Sequence, residues 1–248
     1  MLKLGILCEK LSHSKIPEIQ AKIIEEKCLC KSSYEILEFP QETFAEDFDA
    51  LKDADLNGVL ISAPYRKAVI PLLDDISPLA KYIDVVDTVS FSNGQAKGYN
   101  SCYHGFIYLL EKNNIELKGK EAVLLGSGSS TKTIAKALLD QGIVDITIVS
   151  RTKQNFHGSY TISYDYFKEN NYKNDILINC TPLGMYPYEG SSPISPEFMN
   201  TDVAIDLIFD PPQTVFLQNA ERLGIKHING YHMLEGLLEK ALEFWQEA

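Results

Sequence analysis

Short apolar runs alternate with amphipathic stretches along the whole chain, the order expected of an α/β fold with largely parallel strands. Leu2–Cys8, Tyr34–Phe39 and Gly58–Ser62 read as strands. Pro17–Cys28 and Phe44–Lys52 read as helices, with apolar residues returning at three- and four-residue spacing. Val85–Phe91 and Gln95–Tyr99 form a further strand pair joined by Asn93-Gly94, a dipeptide that tolerates the positive φ angles of a tight hairpin. Residues 120–152 then give a strand, a Gly/Ser turn, an amphipathic helix and a second strand, Asp145–Ser150. Strands are expected again at Tyr160–Ser163, Asp175–Cys180, Val203–Leu207 and His227–Ile228. Helices are expected over Thr214–Leu223 and Met233–Gln246, and a loop over Tyr186–Pro196.

The strand-turn-helix-strand unit carries the first chemistry. Gly126 and Gly128 let the backbone approach an anion, and the helix that follows offers free N–H groups at its start, with Ser129 and Ser130 beside them. The second strand ends where a Rossmann unit meets the adenosine ribose. There the chain offers Ser150, Arg151, Thr152 and Lys153 rather than an acid. Hydroxyls and a guanidinium suit a 2′-phosphate, so NADP(H) is expected over NAD(H), with Arg151 as its principal cation. The expected fold is α/β: a substrate domain over 1–102, a Rossmann-type nucleotide domain over 103–230, and a last helix within 231–248 that returns to the first domain.

Composition narrows the partners. The chain has 248 residues and a formal charge of −11, so its surface repels phosphate polymers, and neither nucleic acid nor an anionic membrane is an expected partner. The N-terminus lacks the pattern of a signal peptide and no apolar run reaches membrane-spanning length, which points to a cytoplasmic protein. Five cysteines without a Cys-x-x-Cys pair support neither a disulfide framework nor a metal site. A small-molecule substrate is expected, bound by a monomer or homodimer.

Several segments together resemble the shikimate dehydrogenase family, which reduces 3-dehydroshikimate with NADPH. Asn179–Met185 (NCTPLGM), Asp206–Thr214 (DLIFDPPQT) and Gly230–Leu234 (GYHML) are similar to its nucleotide-side motifs. Gly58–Lys67 (GVLISAPYRK), Val85–Val89 (VVDTV) and Gly98–Phe106 (GYNSCYHGF) are similar to its substrate-side motifs, and His13-Ser14 resembles its carboxylate loop. The resemblance implies that Thr181, Leu183 and Met185 approach the nicotinamide and that Gly230 and Met233 close that side. It also implies substrate contacts from Ser14, Ser62, Asn100 and the residue at position 87, in a cleft between the two domains.

The departures concentrate on the substrate side. Arg66 stands where the family has its catalytic Lys, Cys102 where it has the paired Asp, and Asp87 where it has an Asn. Arg stays charged at any working pH, so Arg66 can polarise a carbonyl but not relay a proton. Cys102 is expected to gain thiolate character beside Arg66, and Lys67 is a candidate substitute for the missing Lys. Asp87 would repel a substrate carboxylate, so activity on shikimate is expected to be weak. Tyr65 reads as a surface aromatic. The resemblance implies an NADP-dependent dehydrogenase; the alternative is a catalytically silent relative that binds NADP(H) for sensing or for a partner.

Overall fold

The computed structural model describes residues 1–11, 16–27, 31–152, 156, 158–170 and 172–247. They form two compact units: Met1–Gly105 with Glu235–Ala248, and Phe106–Leu234.

The first unit runs β1 (Leu2–Cys8), α1 (Ile16–Lys27), β2 (Ser32–Glu38), α2 (Phe44–Ala50), β3 (Gly58–Ile61), α3 (Tyr65–Ala68), β4 (Asp75–Ile76), α4 (Pro78–Ile83), β5 (Thr88–Ser92), β6 (Gln95–Tyr99) and the start of α5 (Ser101–Lys112). Its sheet has the order β2-β1-β3-β5-β6-β4. β1 lies parallel to β2 and β3, whereas β5 is antiparallel to β3 and β6. Asn93 and Gly94 make the β5–β6 turn with φ of 52° and 74°. Leu7, Val59, Ile61 and Val89 from the strands close over Phe44 and Phe48 of α2.

The C-terminal helix completes this unit, as its amphipathic pattern and the finished second sheet require. Trp245 is buried, and its Nε1 donates to the Val89 carbonyl at 2.9 Å. The indole fits against β3 because Gly58 has no side chain: a Cβ there would sit 2.0 Å from the ring.

The second unit runs from the remainder of α5 through β7 (Glu121–Leu125), α6 (Ser129–Asp140), β8 (Asp145–Val149), β9 (Tyr160–Ile162), α7 (Tyr164–Glu169), β10 (Asn174–Asn179), β11 (Thr201–Asp206), α8 (Val215–Arg222) and β12 (Lys226–Ile228) to the start of α9 (Tyr231–Gln246). Its sheet is parallel throughout, in the order β12-β11-β10-β7-β8-β9. The chain proceeds outward from β7 in one direction and, from β10, in the other. The C-terminal ends of β7 and β10 therefore flank a topological switch point, the position at which open parallel sheets bind ligands. The unit boundaries fall inside α5 and α9, a few residues beyond the expected 102 and 230. Among the described residues no helix is long and apolar enough to cross a membrane.

Candidate active site

The glycine turn sits at the switch point. Gly126 adopts φ +103° and donates to the Val149 carbonyl at 2.8 Å, which ties the turn to the end of β8. A Cβ on it would lie 2.9 Å from the Thr181 methyl, in a backbone conformation that L side chains avoid. Gly128 is the N-cap of α6 and faces open space, so the helix start, with Ser129 and Ser130 half-buried, is accessible to an anion. Thr131 is buried and donates to the Gly126 carbonyl at 3.0 Å. It holds the turn where a third glycine would stand in a fuller fingerprint.

Three hydroxyls gather beside this turn. Ser150 Oγ donates to Ser127 Oγ at 2.7 Å, Ser127 Oγ lies 3.3 Å from Thr152 Oγ1, and Thr152 N donates to Ser150 Oγ at 3.2 Å. Arg151 is exposed between Ser150 and Thr152. Ser127 was not singled out from the sequence. Its signal was position alone, between two glycines in the turn that follows β7.

The loops after β10 and β11 are knitted by side chains. Asn179 is fully buried; its Oδ1 accepts from Thr181 N at 2.9 Å and Thr181 Oγ1 at 2.7 Å, and its Nδ2 donates to the Leu183 carbonyl at 3.0 Å. Thr181 Oγ1 in turn accepts from Leu183 N at 3.2 Å. The Asp206 carboxylate, also fully buried, accepts from Asn179 Nδ2 and Ile208 N, each at 3.1 Å, and from Thr214 Oγ1 at 2.6 Å. Burial raises its pKa from 3.8 to about 6, against the lowering effect of those three donors. Gly230 donates to the Ile208 carbonyl at 2.9 Å, and a Cβ on it would lie 2.1 Å from the Leu207 carbonyl oxygen. Leu183 and Met185 are half-buried, while Met233 is buried in packing.

On the first unit, Asp87, Asn100 and Cys102 form one buried cluster at the start of α5. Asp87 Oδ1 accepts from Ser101 N at 2.7 Å, Ser101 Oγ at 2.9 Å and Thr88 Oγ1 at 2.9 Å, and Oδ2 accepts from Cys102 N at 3.0 Å. The carboxylate therefore caps the positive end of the helix, where an anion is stabilised by free N–H groups. Asp87, expected as a substrate contact, is 2% exposed, and its oxygens accept from the start of α5 and from Thr88. Asn100 is the helix N-cap, its Oδ1 accepting from Tyr103 N at 3.0 Å and its Nδ2 donating to the Val85 carbonyl at 3.1 Å.

The expectation of a Cys102 thiolate is reversed. Burial and the adjacent Asp87 charge push its pKa well up, and the opposing pull of Arg66 is weaker than either. A thiol with a carboxylate against it stays protonated. Arg66 follows β3 on the short α3 and donates from Nε to the Ile61 carbonyl at 3.1 Å; its own carbonyl accepts from Val86 N at 2.9 Å. Ser62 is half-buried at the end of β3, its N–H bonded to Leu7 O at 2.8 Å.

Lys67 is engaged elsewhere: its ammonium is 3.1 Å from Asp84 Oδ2 and its side chain is 69% exposed. Neighbouring side chains on one helical turn diverge by about 100°. Tyr65 is a core residue rather than a surface one: it is 2% exposed, stacks on Phe44 at 4.0 Å and donates to the Phe39 carbonyl. Ser14 and Lys153 lie outside the described residues.

A sequence profile described as the shikimate dehydrogenase substrate binding domain matches residues 6–89. Over 98% of its length the chain is 34% identical to the shikimate dehydrogenase (NADP(+)) of Clostridium beijerinckii, 91% of which is covered. The chain belongs to the shikimate dehydrogenase family. Among solved structures it is similar to shikimate dehydrogenase 1 from Peptoclostridium difficile, at 35% identity and a TM-score of 0.91, covering 100% of this chain and 92% of that one. It is also similar to shikimate 5-dehydrogenase from Thermus thermophilus, solved in complex with NADP(H) and shikimate, at 28% identity and a TM-score of 0.86, covering 100% of this chain and 94% of that one. Within this family fold, Ser101 and Thr88 are the residues that sequence reading missed on the substrate-side unit. Both are buried hydroxyls donating to Asp87, and nothing local in the sequence marks them as its partners.

Proposed function

We propose that this chain is an NADP(H)-dependent oxidoreductase that interconverts 3-dehydroshikimate, or a related cyclic keto acid, with its alcohol. The observation that carries the reading is the second unit's switch point: an open glycine turn, a helix start, and three mutually bonded hydroxyls flanking Arg151. These groups fit a dinucleotide with a 2′-phosphate. Backbone N–H groups of the turn and α6 would hold the pyrophosphate, while Ser127, Ser150, Thr152 and Arg151 would hold the extra phosphate. When bound, the reduced nicotinamide supplies a hydride.

The first unit supplies the carbonyl chemistry. The Arg66 guanidinium would polarise a ketone oxygen or clamp a carboxylate. Proton delivery is the weak step. Cys102 is a protonated thiol held by Asp87, and Lys67 is engaged with Asp84. Turnover is therefore expected to be slow, with the proton taken from solvent. The same observation favours a second reading, a catalytically silent family member that binds NADP(H). NADPH oxidation with 3-dehydroshikimate and a panel of cyclic keto acids, run beside an NADP binding titration, separates them. Slow turnover on any substrate supports the dehydrogenase; binding without turnover supports the silent relative; absence of NADP binding overturns both.

A further inference from the structure

Asp206 is a buried carboxylate with no described cation bonded to it. Among the described residues it is held by neutral donors alone: an amide, a backbone N–H and a hydroxyl. Such an arrangement is costly, because a charge leaves water without a counter-ion. A merely structural hub would be better served by a neutral side chain. What the charge gains is geometry. As a carboxylate it accepts from all three donors at once, two on Oδ1 and one on Oδ2, and each belongs to a segment that shapes the nucleotide side.

Each connection can be followed. Through Asn179, Asp206 fixes Thr181, whose methyl abuts Gly126 of the glycine turn. Through Ile208 it fixes the backbone that receives Gly230. Through Thr214 it fixes a side chain that would lie 3.0 Å from a Cβ on Gly184, which itself has φ +118°. Gly126, Thr181, Leu183 and Gly230 are thus placed by one carboxylate at the end of β11.

We infer that Asp206 is a positioning residue that acts as a carboxylate, and that its protonation slackens the loops around the glycine turn and weakens binding of the dinucleotide. The inference rests on the cofactor reading above. Once protonated on Oδ2, the group must donate to Thr214 Oγ1, which reverses that bond and leaves the threonine hydroxyl proton to find another acceptor; protonated on Oδ1, it faces the Asn179 and Ile208 donors. Asp206 titrates near pH 6, so the change falls in an accessible range. Its coupled titratable neighbour is Cys180 at the end of β10, whose thiol is pushed up to about 12 and stays neutral throughout. The charged groups of β12 and α8, Lys226, His227, Glu221 and Arg222, are exposed to solvent.

The test is NADP binding by the full chain, followed calorimetrically from pH 5 to pH 8.5 for wild type, Asp206→Asn and Thr214→Val, with thermal melts of each protein. Ionisation of the 2′-phosphate affects all three alike, so the differences report the protein. Asp206→Asn is expected to bind NADP about tenfold more weakly at pH 8, the size of one lost hydrogen bond. Its melting temperature at that pH is expected to be equal or higher, and its pH dependence shallower. Thr214→Val removes a donor that lowers the carboxyl pKa, so the pH at which affinity falls is expected to move upward. Unaltered affinity and pH dependence in both variants would overturn the inference, as would a loss of affinity that tracks a fall in melting temperature. Failure of wild type to bind NADP at any pH would instead overturn the cofactor reading.

Discussion

The Asp87–Cys102 cluster makes a quantitative prediction about where a carboxylate can stand. Substituting Cys102→Asp places a second carboxylate against Asp87, whose Oδ2 already lies 3.0 Å from the backbone nitrogen of residue 102. Two unit charges about 4–5 Å apart at an effective dielectric constant of about 20 repel by about 3–4 kcal/mol. Asp87→Asn removes that repulsion. On its own it also leaves the Cys102 N–H facing an amide, at a cost of about 1–3 kcal/mol. Urea denaturation of wild type, the two single variants and the double variant at pH 7 is therefore expected to give a coupling of about 3 kcal/mol, with the double variant more stable than the sum of the singles. Additivity within about 0.5 kcal/mol at pH 7 would refute the claim that these positions share one anionic site. Adding Arg66→Lys to the compatible pair is expected to raise turnover with 3-dehydroshikimate. Adding it to Cys102→Asp alone is not.

Three further outcomes are expected. Arg151→Ala weakens NADP binding about tenfold, the loss of one charge-assisted contact, and leaves NAD binding unchanged, as a side-by-side titration at fixed salt will read. Lys67→Ala changes kcat and KM little and stability by less than about 1 kcal/mol, because its pair with Asp84 is at the surface; a large fall in kcat would restore Lys67 as a proton carrier. Asp206, raised from 3.8 to about 6, favours folding below about pH 4, and this contribution is lost as pH rises through 6. At pH 8 the shift costs about 3 kcal/mol of stability. The urea midpoint of Asp206→Asn is therefore expected to gain on wild type at pH 8 and to lose that advantage at pH 4.

Local pattern carried much of the fold. The strand at Leu2–Cys8, the hairpin at Asn93-Gly94, the strand-turn-helix-strand unit and the amphipathic last helix were all legible, because each is set by periodicity or by a turn residue within a few positions. The short helices α3, α4 and α7 were not, since one or two turns give too little period to detect. The phosphate side of the site was legible for the same reason as the elements: the glycines and the Ser150–Thr152 segment lie at fixed chain distances from a strand end.

What the sequence by itself determined was therefore the order of elements, the family and the types of residue at the candidate site, including the loss of a Lys–Asp pair. What only the tertiary structure decided was the state of those residues. Asp87 stabilises a helix because β5 delivers it to the start of α5, and burial together with that proximity keeps Cys102 protonated. Tyr65 is buried because α2 places Phe44 over it, and Lys67 is diverted because α4 ends in Asp84. Asp206 meets Asn179 because β10 and β11 are neighbours in the sheet. Hydrogen bonding and charge act over a few ångströms of space, and the distance along the chain between such partners, from 14 residues for Asp87 and Ser101 to 27 for Asn179 and Asp206, carries no record of it.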